Sequence, residues 1–229
     1  MISITIDNDW APENIIQNIV DILHENNIRA TFFITNKNNV DYKDFELAIH
    51  PYFNLKNTAE NIINELKSEV PNSIGIRSHR LITSAEYQQI FANLNFKYSS
   101  NFFLDCQKNI VPTPYMGILE IPIYFIDNLF INRYQFDTNK IRLETLELQT
   151  NGVKSFLFHP TNIFLNLENM QRQKLAKPIW KNENELRKII NKKNYGINDL
   201  FHELIYFIKK NNLETYTLKD IYNKYNCVL

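Results

Sequence analysis

Short apolar runs alternate along the chain with segments whose apolar residues recur at three- and four-residue spacing. The first run, Ile2-Ser3-Ile4-Thr5-Ile6, is largely β-branched and reads as a buried strand. After Pro12, residues Ile15, Ile16, Ile19, Val20, Ile22 and Leu23 keep helical spacing and fade near Asn26-Asn27. Pro12 suits the first turn of that helix, and Glu13 suits its positive end. Residues 28–35 form a second buried strand, so the opening segment predicts a βαβ unit with parallel strands. Phe45 to Ile49 is a third short strand. It ends at His50-Pro51, because proline offers no ladder donor and keeps the residue before it extended.

The alternation continues with a helix over 58–70, Thr58 as its cap, and a very short strand over 74–76 running into Arg77-Ser78-His79. A helix over 84–94 and a strand over 96–98 follow. Residues 100–117 read as irregular, with Pro112, Pro114 and Gly117 as punctuation. Ile118 to Ile126 is strand-like, but Pro122 places it at an edge or a bulge. Residues 128–150 are ambiguous. Ser155 to Phe158 is a strand ending at His159-Pro160, and 161–195 is polar with one short helix near 183–191. An amphipathic helix over 198–211, a strand over 215–217 and a helix over 218–225 close the pattern. No repeat, low-complexity linker or break in composition divides the chain, so it reads as a single α/β domain spanning 1–229.

Composition narrows the class of function. A chain of 229 residues can bury roughly 70% of its unfolded surface. Lys plus Arg equals Asp plus Glu at 25 each, which argues against a nucleic-acid or anionic-membrane binder. No apolar run reaches the ~20 residues of a membrane span. Asp7 and Asp9 interrupt the N-terminus before any leader-like apolar stretch, so the expected location is cytoplasmic. Cys106 and Cys227 have no metal-type spacing and read as free thiols of a reducing compartment.

The candidate chemistry lies where the strands end. In order, the ends carry Asp7-Asn8-Asp9, His50, Arg77-Ser78-His79 and His159. In parallel α/β folds, active sites form at the C-terminal ends of strands. Of five histidines, three fall there, while His24 and His202 lie inside helices. Any one of these residues alone reads as a hydrogen-bonded loop residue, and Asp9 could be a helix cap. Asp7 resists that reading because it follows the apolar run directly. Neutral imidazole and carboxylate together suit a divalent metal, Zn²⁺ first, with Co²⁺, Mn²⁺ or Ni²⁺ as alternatives. Such a site divides the labour: one acid for the metal, one to take a proton from water, and a separate histidine to protonate the leaving group.

Several of these segments together resemble the polysaccharide deacetylase family, of the carbohydrate esterase type related to chitooligosaccharide deacetylase. Thr5-Ile6-Asp7-Asn8-Asp9 resembles its first motif, normally Thr-Phe-Asp-Asp-Gly. Ala30-Thr31-Phe32-Phe33-Ile34 is similar to its second strand, Ile76-Arg77-Ser78-His79 to its arginine motif, and Leu157-Phe158-His159-Pro160 to its last motif. The resemblance implies a distorted (β/α)₇ barrel and metal-dependent hydrolysis of an N-acetyl group from an amino-sugar or saccharide. It implies Asp7 as general base, Asp9 as metal ligand, Arg77 orienting the base and His159 as general acid. The family's His-x-x-x-His pair maps to His50 and Asn54, so an amide stands where an imidazole is expected. His79 is the residue able to supply the missing imidazole. Trp10 stands where the family has glycine and is a candidate for stacking on a sugar. A setting in surface-polysaccharide biosynthesis follows by analogy. Two other readings remain open: a non-catalytic saccharide-binding barrel with a degenerate metal site, and hydrolysis of a formyl or cyclic amide bond by the same groups.

Overall fold

β1 (Ile2–Asp7) is an interior strand of the sheet, with all six side chains buried. The computed structural model describes residues 1–134 and 142–226; Cys227 and part of the ambiguous 128–150 stretch fall outside them. β2 (Ala30–Ile34) lies parallel to β1 on one side, with Ile4 opposite Ala30 and Asp7 opposite Phe33. β9 (Lys154–Phe158) lies parallel on the other, with Ile6 opposite Phe158. With the barrel interior on one face and helices on the other, the strand is buried on both faces, which explains its largely apolar, β-branched character. Beyond β2 come β3 (Glu46–Ile49), β4 (Gly75–Ile76) and β5 (Tyr98–Ser99), all parallel.

The stretch Ile118–Ile126 closes this sheet into a distorted barrel. Its first part, β7 (Ile118–Glu120), pairs parallel with β5, and its second, β8 (Phe125–Ile126), pairs parallel with β9. Between them, the N–H groups of Ile121, Ile123 and Tyr124 donate to carbonyls of Ser99, Phe102 and Ser155. Pro122, which has no donor to offer, sits at the bend where the stretch leaves one neighbour for the other. The barrel thus has seven staves, with Ile118–Ile126 counted as one.

Helices cover the outside. α1 (Glu13–Glu25) buries Ile15, Ile16, Ile19, Val20 and Leu23, the residues its period picks out. α2 (Ala59–Glu69) starts at Thr58, whose hydroxyl accepts the Asn61 N–H. α3 (Ala85–Asn93) is capped in the same way by Ser84. α4 (Asp127–Tyr134) follows β8 directly. The polar region after β9 holds three short helices, α5 (Pro160–Phe164), α6 (Met170–Ala176) and α7 (Glu183–Lys188), where the pattern predicts one. α8 (Ile197–Lys210) and α9 (Leu218–Asn226) follow. No helix among the described residues is long and apolar enough to cross a membrane.

Two expectations are corrected. Residues 100–117 contain β6 (Thr113–Tyr115), which folds back antiparallel on β7. The turn is Met116-Gly117, with φ of 50° and 89°, the double left-handed turn that suits hairpin twist. Conversely, 215–217 forms no strand. Thr215 makes only an isolated bridge to Ile2, and its hydroxyl accepts the Arg29 N–H.

Candidate active site

Parallel staves deliver their C-terminal ends to one rim, and the predicted residues meet there. Asp7 is the last residue of β1, His50 follows β3, Arg77 and His79 follow β4, and His159 follows β9. A pocket of about 230 Å³ is lined by Asp7, Asp9, His50, His79 and His159, with Ile126, Leu157, Leu81 and Leu129 as its apolar wall. Larger grooves, such as the one of about 670 Å³ beside α8, contain no comparable convergence of imidazoles and carboxylates.

The two acids are held differently. Asp7 is 2% exposed, and its Oδ1 accepts from Arg77 Nη1 at 2.7 Å. Arg77 is wholly buried, and each of its donor nitrogens is engaged. Nη1 also donates to Thr5 Oγ1, Nε to the Ser100 carbonyl and Nη2 to Ser100 Oγ, while the guanidinium lies 4.0 Å from the centre of the Phe33 ring. A charge pair this deep is stable only when its remaining hydrogen bonds are satisfied, as they are here. Removing one partner strands the other. Arg77→Met is therefore expected to lower unfolding free energy by about 3–5 kcal/mol in urea titrations. The double variant Arg77→Met/Asp7→Asn recovers part of that loss, because no buried charge is then left alone.

Ser100 is itself fixed by Glu120, a fully buried acid. Its carboxylate accepts the N–H groups of Asn101 and Phe102 and the hydroxyl of Ser99, so it grips the backbone on both sides of Ser100. Burial raises the Glu120 pKa, partly offset by these hydrogen bonds.

Asn8 turns away from the pocket, and its amide donates to the Tyr42 hydroxyl at 2.6 Å. The chain then takes two successive left-handed residues, Asp9 at φ 43° and Trp10 at φ 56°. This conformation costs an L-residue about 1–2 kcal/mol. It is held by Thr35 Oγ1, which accepts the Asp9 N–H, and by Trp180 Nε1, which donates to the Asp9 carbonyl. The result swings the Asp9 carboxylate over the pocket. The glycine of the related motif coincides with this left-handed turn.

Asp9 Oδ1 lies 3.2 Å from His50 Nε2 and 3.1 Å from His79 Nδ1, and these three ligand atoms all fall within 4.8 Å of one another. Asp9 Oδ2 is 3.5 Å from His159 Nε2. Burial alone would raise the Asp9 pKa, but hydrogen bonds from His50 and His79 and the field of His159 hold it far below the carboxylate range. For His50, burial opposes the charged form, yet Asp7 and Asp9 raise its pKa.

The tautomer of His50 tests whether this set suits a metal. Its Nδ1 is 2.7 Å from the Arg77 carbonyl, an acceptor with no proton to give, so Nδ1 carries a hydrogen. In the neutral ring Nε2 is then a lone pair aimed at a carboxylate oxygen. That contact is repulsive unless a proton or a cation lies between the two. Backbone orientation of the far nitrogen is also how metal-binding imidazoles are commonly fixed. Asp9, His50 and His79 therefore fit a divalent metal in both atom type and orientation.

Asn54 does not join this group. It is exposed on the turn after β3, where its amide oxygen accepts the Lys56 N–H at 2.9 Å and its nitrogen donates to the Tyr52 carbonyl. The oxygen a metal would need is already used in a local turn. His79 comes from a different stave and reaches the group instead. Trp10 packs edge-on against the rings of His79 and Tyr52, at 5.3 and 5.7 Å, behind the pocket rather than along its lining.

Asp127 is the residue at the site that the pattern does not single out. It is wholly buried at the start of α4. Its Oδ1 sits 2.8 Å from His159 Nδ1, and its Oδ2 accepts the His159 N–H. Burial would depress the charge on His159, but Asp127 first, then Asp9 and Asp7, push its pKa up to about 10. With Nδ1–H committed to Asp127, Nε2 faces the pocket as the proton-bearing atom.

Comparisons with known proteins identify the family and the fold. The WbmS-like family model, described as polysaccharide deacetylase, matches residues 4–177. A Bordetella bronchiseptica protein, described as a polysaccharide deacetylase involved in O-antigen biosynthesis, is similar in fold. Its crystal structure has a TM-score of 0.79 and 20% identity over 90% of each chain. A Mycobacterium smegmatis protein described as a polysaccharide deacetylase has a TM-score of 0.43 and 13% identity, over 94% of this chain and 93% of its own. No curated protein sequence matches the chain.

Proposed function

The chain belongs to the WbmS-like polysaccharide deacetylase family, and from that premise we propose that it is a metal-dependent hydrolase removing an N-acetyl group from an amino-sugar. The observation that carries the metal dependence is the set of Asp9, His50 and His79, with the His50 lone pair turned toward the Asp9 carboxylate by the Arg77 carbonyl. These three residues hold the ion, and Zn²⁺ suits two imidazoles and a carboxylate best. When bound, the ion supplies Lewis-acid polarisation and makes water acidic near neutral pH.

The side chains supply the rest. Asp7, with one oxygen tied to Arg77, keeps the other free toward the pocket and takes the proton of the attacking water. His159, protonated and aligned by Asp127, gives its Nε2 proton to the leaving amine. Ile126, Leu157, Leu81 and Leu129 form a dry wall against which the acyl methyl packs. The pocket is smaller than the usual ligand site of about 300–1,000 Å³, so only a terminal part of a saccharide enters. The Bordetella relative's described part in O-antigen biosynthesis supports a surface-polysaccharide setting.

The binding-only reading drew its support from Asn54. With His79 in that role, the donor set has no gap for it to explain. Acetate release from a panel of N-acetylated sugars, with and without a chelator and with added Zn²⁺, tests the proposal. Chelator-sensitive acetate release is expected. Formate or a ring-opened product in its place would assign the same site to another amide. His79→Ala is expected to weaken metal binding at least 10-fold, whereas Asn54→Ala leaves it unchanged. Competition with a chromogenic chelator reads both, and the reverse pattern would return Asn54 to the ligand set.

A further inference from the structure

We infer that Arg80 reads an oxyanion on the substrate, a carboxylate or phosphate carried by the N-acylated sugar; this deepens the deacetylase reading and rests on it. Arg80 is exposed and lines the candidate active-site pocket, where it is the only Lys or Arg among the described lining residues. The other basic side chains at the pocket are engaged by carboxylates. Arg77 is paired with Asp7, and His159 with Asp127, while His50 and His79 share Asp9. The Arg80 side chain has no hydrogen bond or ion pair among the described residues. The pocket's carboxylates are thus engaged by other groups, and one guanidinium is left over at its edge.

The backbone fixes the point from which that side chain projects. Arg80 and Leu81 have φ of 60° and 55°, a second pair of consecutive left-handed residues on the same rim as Asp9 and Trp10. Neither is the glycine or asparagine that adopts this region cheaply, so the turn carries strain of about 1–2 kcal/mol per residue. Its two ends are anchored. The His79 N–H donates to the Pro51 carbonyl, and its ring is pinned by Asp9, Trp10 and Tyr52. The Leu81 N–H donates to the Ser78 carbonyl, and its side chain packs on the buried cluster of Ile123, Ile126 and Leu157. A residue between two fixed neighbours projects from a fixed point. A guanidinium fork there matches the planar pair of oxygens of a carboxylate or phosphate, and it is more lightly hydrated than a lysine ammonium.

Asn128 adds a neighbouring polar contact. Its Oδ1 is buried at the pocket and has no donor. It can accept a hydrogen bond from a sugar hydroxyl or amide while Arg80 holds the anion.

The test is equilibrium binding by calorimetry on the full chain with three probes: N-acetylglucosamine, its uronic acid, and its 1-phosphate. At low salt, at least one acidic probe is expected to bind about tenfold tighter than the neutral sugar. The preference shrinks as salt rises. It disappears in Arg80→Gln and is partly kept in Arg80→Lys. Which acidic probe is preferred separates a carboxylate reader from a phosphate reader. Equal or absent binding of both acidic probes overturns the inference, as does a preference that survives Arg80→Gln. Acetate release is followed in parallel. Acidic probes that bind through Arg80 but release no acetate would count against the deacetylase reading and leave the anion site standing.

Discussion

Asp7→Asn is expected to lower kcat by about 10²–10⁴-fold, with metal content unchanged. The size follows from what the substitution removes. One oxygen of Asp7 accepts from Arg77, and the other lies 3.6 Å from His50 Nε2 at the floor of the pocket. An asparagine can keep its carbonyl oxygen on Arg77, which holds the guanidinium in position even though the buried charge loses its counter-ion and stability falls. Its second terminal atom is then an NH₂ group, which has no basic lone pair to take a proton from water. Asp9→Asn gives the opposite signature. It weakens the charge that His50 and His79 face, so metal is lost first and activity falls with it. Steady-state acetate release together with atomic absorption on both purified variants separates the two acids. Activity in Asp7→Asn within tenfold of the parent protein would remove Asp7 from the role of base.

The different jobs proposed for two acids so close in sequence are visible only in part before the chain is folded. The end of an apolar strand marks Asp7 and Asp9 as unusual, because carboxylates there need a partner. The strand period also places His50, Arg77, His79 and His159 at the same rim. What the period cannot carry is the left-handed turn at Asp9 and Trp10, since neither residue is the glycine that signals such a turn. Asn54 shows the complementary error. The family resemblance maps a ligand position onto Asn54, but after Pro51 the chain leaves the rim, and the amide closes a local turn. His79, from a different stave, stands beside Asp9 and His50 instead, a tertiary placement that no local spacing predicts.

The barrel follows the same division. The largely apolar strands β1, β2 and β9 are plain in the pattern because they are buried on both faces. The closing stretch Ile118–Ile126 reads as one strand interrupted by proline, yet its two halves bind different neighbours, and only the partners reveal that the proline marks the change. Ser100 and Glu120 escape notice for a related reason. Serine in an irregular segment and glutamate within a short strand carry no signal until Arg77 is seen between them and the base.

Asp127 lies in the stretch where the pattern is least informative, and its partner is 32 residues away. Replacing it with asparagine is expected to move the alkaline limb of the activity profile from near pH 10 down toward or below the ordinary histidine value of about 6.5. The sign follows from the competing causes. Burial favours neutral imidazole, and the Asp127 carboxylate is the first of the groups that overcome it. With an amide in its place, burial is less opposed, and Nε2 loses its proton at lower pH. At pH 8 the variant has little protonated His159 to supply the leaving amine, and kcat falls by about 10²-fold or more. At pH 5.5 most of that loss returns. The stability linkage runs the same way. A folded-state pKa raised to about 10 contributes stability that is complete below about 6.5 and is lost as pH rises through 10, and Asp127→Asn removes most of that contribution. NMR titration of the His159 ring reads the pKa directly, alongside the pH–rate profile of acetate release. An unchanged alkaline limb, with a parallel loss of activity at every pH, would leave Asp127 a structural anchor for the His159 backbone and nothing more.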